Sequence, residues 1–92
     1  MNDQEHEILS ITQEECSEVI QAVSKIFRFG LDTEWKGESN REHLEEEVGD
    51  LQAMIHLMIQ SGLVNEHKVA DAANKKLEKL RKWSNISIEN DK

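Results

Sequence analysis

The sequence predicts an all-α protein, an antiparallel helical bundle completed by oligomerisation. Three observations carry that expectation. The 92 residues contain no proline and four glycines, and they are rich in the Glu, Lys, Leu, Ile and Ala that helices favour. Apolar side chains recur at steps of three and four in three separate stretches, the mark of amphipathic helices. Large apolar groups remain on more than one face of these helices, and a single domain of this length has a marginal core. A dimer would bury what one chain leaves bare.

The first helix is expected from near Asp3 or Ser10 to about Phe29, with Ile8, Ile11, Val19, Ile20, Val23, Ile26 and Phe27 as its apolar set. Gly30 suits a left-handed stop. Cys16 lies at the edge of that stripe and reads as a small buried hydrophobe. Residues 31–38 form a connector too short for a full helix. Within it Trp35 reads first as a plug packed over the bundle and second as a platform for a base. Ser39-Asn40-Arg41-Glu42 is a capping box and starts the second helix for a physical reason. That helix should reach about Ser61, with Gly62 as its stop, and bury Leu44, Val48, Leu51, Met54, Ile55, Leu57, Met58 and Ile59. Gly49 is costly in mid-helix, and beside Asp50 it suggests the close approach of another helix or of a bound ligand. Asn65 caps a third helix running through Val69, Ala72, Ala73, Leu77, Leu80 and Trp83. One domain is expected over 1–84, with 85–92 a loose tail.

The net charge of −8 argues against a nucleic-acid polymer as partner, because phosphate backbones repel an acidic surface. No run of apolar residues is long enough for a membrane span, and the first residues lack the basic and apolar regions of a signal peptide. A single cysteine fits a reducing cytoplasm.

Two carboxylate pairs break the helical pattern. Glu15 with Glu18, and Glu47 with Asp50, each lie three residues apart. At about 100° per residue, Glu15 falls among Ile8, Ile11, Val19, Ala22 and Ile26, and Glu47 among Leu51, Met54 and Met58. Glu18 and Asp50 flank the same faces. A carboxylate inside an apolar stripe is costly unless a positive charge compensates it. Two helices with the same placement can surround one small volume with four carboxylates, a donor set suited to Mg²⁺ or its substitute Mn²⁺. The bland alternative is chance, since such strings arise often in Glu-rich helices. A di-iron bundle needs Glu-x-x-His motifs. None occurs, because the residues three before His6, His43, His56 and His67 are Asp3, Asn40, Ala53 and Val64. His43, one turn before Glu47, is the one histidine placed to matter. No serine elbow and no Gly-rich phosphate loop is present.

Basic residues give two further readings. Lys25 and Arg28 follow Glu14, Glu18 and Gln21 along one side of the first helix, either as a solvated face stitched by ion pairs or within reach of phosphates. Lys75, Lys76, Lys79, Arg81 and Lys82 crowd the end of the third helix, where cations are favoured in any case.

Glu14-Glu15-Cys16-Ser17-Glu18, then 28 residues, then Glu47-Val48-Gly49-Asp50 resembles the EExxE…ExxD signature of MazG-like nucleotide pyrophosphohydrolases, the all-α NTP pyrophosphatases. The resemblance covers about residues 8–83 and is nearest to the compact single-domain members of phage and bacterial type. It implies cleavage of a (d)NTP to the monophosphate and pyrophosphate with two or three Mg²⁺ ions per site, in the cytoplasm. It implies Glu15, Glu18, Glu47 and Asp50 as metal ligands and Glu14 as an acid that helps to hold a further ion or orient water. Lys25, Asn74, Lys76 and Lys79 match positions that contact phosphates. It also implies dimers, or dimers of dimers, in which two subunits complete each site. The base-binding positions have no match. Phosphoribosyl-ATP pyrophosphohydrolases share the superfamily and are the neighbouring alternative. A non-catalytic acidic interaction module is the alternative of a different class.

Overall fold

The computed structural model describes residues 1–89. Three helices hold most of the chain: α1 (Asp3–Phe29), α2 (Asn40–Gln60) and α3 (Glu66–Trp83). Between α1 and α2 stands a small antiparallel hairpin of β1 (Glu34–Trp35) and β2 (Glu38–Ser39), with Glu34 opposite Ser39 and Trp35 opposite Glu38. All three helices thus form where the apolar periodicity places them. α1 starts at the earlier of its two expected positions because Asn2 and Glu5 close a capping box, a signal of the same kind as the one at Ser39.

Gly30 ends α1 with a positive φ of 103°, but its ψ of 156° is not the left-handed helical value expected. Its N–H still donates to the Ile26 carbonyl at 2.8 Å. A Cβ there would lie 3.0 Å from the Thr33 hydroxyl, so both the φ and the close contact favour glycine.

The connector that followed no helical pattern is the hairpin. Lys36 and Gly37 both take positive φ, 54° and 83°, as a two-residue type I′ turn requires. Lys36 is not a usual residue for that position, which hid the turn. Several bonds fasten the connector to the start of α2. Asn40 N–H donates to Thr33 O, Arg41 N–H to Leu31 O, and the Asn40 amide to Gly30 O. The Arg41 guanidinium grips both oxygens of Asp32 at 2.8 and 3.1 Å and holds that carboxyl below the usual carboxylate range. On an exposed surface such a pair adds little stability, although its two-point geometry fixes direction.

α1 and α2 pack antiparallel. Lys25 and Phe29 border one cavity with Asn40 and His43, and Ile8 borders another with Leu57 and Gln60. The core between them is thin. Ile8, Ala22 and Met54 are buried, with Ile11, Val19, Val23, Ile26, Leu44, Leu51, Ile55 and Met58 half-buried around them. Ile20, Phe27, Val48 and Leu57, expected in the apolar stripes, are exposed. They fall beside the seam that a single pair of helices can cover. Cys16 is also exposed rather than buried. A Cβ on Gly49 would meet nothing within 4 Å, so no described helix makes the expected close approach there.

α3 differs from the other two. Asn65 caps it through a bond from the Lys68 N–H, yet none of its residues is buried. Leu80 and Arg81 are half-buried and the rest exposed, Trp83 at 85 %. Beyond Trp83, residues 84–89 carry no helix or strand. Of the expected tail, positions 90–92 lie outside the described residues.

Ser39 is buried at the joint between hairpin and α2, accepting from the Glu42 N–H while its own N–H donates to the Glu42 carboxylate. Ser39→Ala is expected to lower stability by about 1 kcal/mol in urea denaturation, and Ser39→Gly by only a few tenths.

Candidate metal centre

The register of α1 against α2 sets Glu15 opposite Glu47 and Asp50. One carboxylate oxygen from each lies within 4.8 Å of the other two, a grouping drawn from two helices. Glu15 and Glu47 are partly buried, and Asp50 is exposed at the rim. Ala22, two turns after Glu15 on α1, and Met54, one turn after Asp50 on α2, are buried to either side of these carboxylates.

Electrostatics follow from that geometry. Partial burial first, then the charges of Asp50, Glu47, Glu18 and Glu14, push the Glu15 carboxyl above its ordinary pKa. Glu47 has one further partner. Its carboxylate lies 3.3 Å from His43 Nε2, one turn earlier on α2, and its side chain is 12 % exposed. A ring nitrogen at that position orients a carboxylate, as groups behind a metal ligand commonly do. Nearby, a hydrogen bond shared with Glu38, and then the Glu38 charge, push Glu46 up in the same direction. Glu46 is exposed, and its sequence position alone gives no sign of this partner. The missed signal is in space, because Glu38 approaches only when the hairpin folds back.

The predicted site residues divide by element. Glu15, Glu47 and Asp50 come together. Glu18 is partly buried and adds its charge to Glu15, but it is not within the three-oxygen group. Glu14 is exposed beside it. Lys25 borders the cavity at the hairpin end. Arg28 lies over the Phe29 ring, 5.1 Å from its centroid. Asn74, Lys76 and Lys79 ride on the exposed α3 and join neither the carboxylates nor that cavity within one chain. Trp35, expected first as a plug over the bundle, is 74 % exposed and covers no core. No described helix is long and apolar enough to cross a membrane.

These three oxygens fit a hard divalent cation. They are carboxylate donors, they converge from two elements, and their mutual repulsion is what a positive ion relieves. No curated protein and no solved structure matches the chain. A family model does. The MazG nucleotide pyrophosphohydrolase domain matches residues 3–85, which spans all three helices and the carboxylates between them, and the chain belongs to that family.

Proposed function

We propose that this protein hydrolyses nucleoside triphosphates, as (d)NTP and water, to (d)NMP and pyrophosphate. The observation that carries the reading is the convergence of Glu15, Glu47 and Asp50 across the α1–α2 seam in a chain of the MazG family. Glu15, Glu47 and Asp50 would hold Mg²⁺ or Mn²⁺, with Glu18 and Glu14 close enough to receive a further ion. Bound there, divalent ions neutralise the triphosphate and lower the pKa of a coordinated water.

The chain's own residues do the rest. His43 holds the Glu47 carboxylate in one orientation, so the ligand does not swing toward solvent. Lys25 on α1 offsets negative charge on the substrate, and Arg28 stands one turn farther along. Asn74, Lys76 and Lys79 serve the pyrophosphate end when α3 of a second copy lies across the seam. Such a homo-oligomer is supported by α3 itself, an 18-residue amphipathic helix with Val69, Leu77 and Trp83 exposed. An unpartnered helix face of this kind has little reason to persist in water.

Glu47→Gln and Asp50→Asn should each reduce pyrophosphate release at least about a hundredfold, given that groups merely behind a metal ligand already cost 10–100-fold. Retained turnover in both removes the reading, as would a wild-type protein that releases no pyrophosphate from any common (d)NTP.

Light scattering should give a dimer or tetramer. Leu77→Glu should shift it to a smaller species and lose activity in parallel.

Glu15 supplies a test by pH. Its raised pKa means that the folded chain binds this proton more readily than the unfolded chain. The stability it contributes is therefore present below the unfolded value and lost as pH rises through the folded one. Without divalent ions, Glu15→Gln should melt above wild type near neutral pH, and the difference should vanish as pH falls below the ordinary glutamate range. With Mg²⁺ the order should reverse, because ligation stabilises only the fold that holds the ion. A melt indifferent to Mg²⁺ favours instead an acidic interaction module.

A further inference from the structure

Beside the carboxylates lies a second feature, which the reading above does not use. The end of α1, the hairpin and the first turn of α2 enclose a cavity of about 500 Å³, bordered by Lys25, Phe29, Trp35, Glu38, Asn40 and His43 among others. Its size is that of small-molecule sites, about 300–1,000 Å³. Two of its walls are aromatic. Trp35 is 74 % exposed and Phe29 59 %, although neither is needed for a core.

The cavity's hydrogen-bonding groups are largely committed. The Asn40 amide donates to Gly30 O, the Thr33 hydroxyl to Phe29 O, and Ser39 is occupied in its capping box. Apart from the charged side chains of Lys25, Glu34 and Glu38, which also border the cavity, what remains is flat apolar surface. Lys36 lies 5.8 Å from the centroid of the Trp35 ring but does not border the cavity, so the indole surface turned to the cavity is not the one Lys36 covers.

His43 links this space to the carboxylates. It borders the cavity and contacts Glu47, and the step between them is one helical turn, about 6 Å. A ligand with an anionic chain at the carboxylates and a planar group one sugar away would reach the aromatic wall. We infer that the hairpin cavity is the base subsite, in which the heterocycle of the nucleotide stacks on Trp35, with Phe29 as the neighbouring wall. This rests on the pyrophosphohydrolase reading and adds to it where the base goes and which face of it is held. Because stacking uses a surface that every base has, Trp35 supplies affinity for bases in general.

The test separates the two readings. In a Trp83→Phe chain, Trp35 is the remaining indole, since the sequence has two tryptophans. A nonhydrolysable nucleoside triphosphate should quench its fluorescence, and inorganic tripolyphosphate should not. Trp35→Ala should raise KM for nucleoside triphosphates about tenfold with kcat little changed, and Trp35→Phe should restore most of the loss. The exposure of Trp35 means that its removal opens no hole in the core. Equal quenching by tripolyphosphate, no quenching by either probe, or an unchanged KM in Trp35→Ala overturns the base subsite while leaving pyrophosphate release intact. So does a change of oligomeric mass in Trp35→Ala, which would give the cavity to a second copy. Absence of turnover with base-dependent quenching overturns the hydrolytic reading instead and leaves the subsite standing.

Discussion

Repulsion between carboxylates on two facing helices is the constraint around which this chain is arranged. Glu15, Glu47 and Asp50 are brought within 4.8 Å of one another in a protein that already carries a charge of −8. Partial burial disfavours the charged form of Glu15 first and like charges at that separation disfavour it further, and together they raise its pKa. Among the described residues, the one ring nitrogen in contact with these carboxylates is that of His43, 3.3 Å from Glu47. The fold tolerates the strain because buried apolar residues on either side of the carboxylates, Ile8 and Met54 toward the start of α1 and Ala22 toward the hairpin, hold the helices in register. Such an arrangement could hold a cation supplied from outside the chain.

Register in turn depends on the connector. Two helices joined by a slack loop can slide, and a slide of one turn would separate Glu15 from Glu47. Here the loop is a hairpin with its own turn, bound to the first turn of α2 by backbone and side-chain bonds from Asn40 and Arg41. Ser39 closes the joint by capping α2. Surface bonds of this type contribute little free energy one at a time, but they remove alternatives. The same connector forms the wall that carries Trp35, so one short segment fixes both the separation of the carboxylates and the shape of the cavity beside them.

The three helices and the Ser39 and Asn65 caps were legible in the sequence because helical periodicity and Asn or Ser capping are local signals. The Asn2 box is a signal of the same kind, yet the start of α1 stayed open between two positions. Glu15 and Glu47 were legible for a related reason, since charge inside an apolar stripe is conspicuous on a helical projection, and Asp50 came with Glu47 as the flanking acid three residues on. Glu18 was read as their equal, yet it sits about 60° farther round α1, and the projection could not say how much of that arc the partner helix covers. The same blindness put Ile20, Phe27 and Cys16 in a core that two helices cannot enclose. The hairpin left no periodic trace in four paired residues, and its turn uses Lys36 where Asn or Asp would have announced it. Glu38 with Glu46 was invisible for that reason alone.

α3 shows how far one chain goes. An isolated helix of 18 residues is only marginally stable in water, and most helices are held by a buried face. α1 and α2 supply each other with such a face; α3 has none, although its own apolar spacing is regular and its end is strongly basic. Its shortage is of neighbours, whereas that of the carboxylate seam is of positive charge. Those two deficits are complementary in sign and in kind, since the helix that lacks cover carries the lysines that the acidic seam lacks. A second copy laid α3 against seam would answer both at once, and this is the physical argument for expecting the site to be finished by the oligomer rather than by the chain.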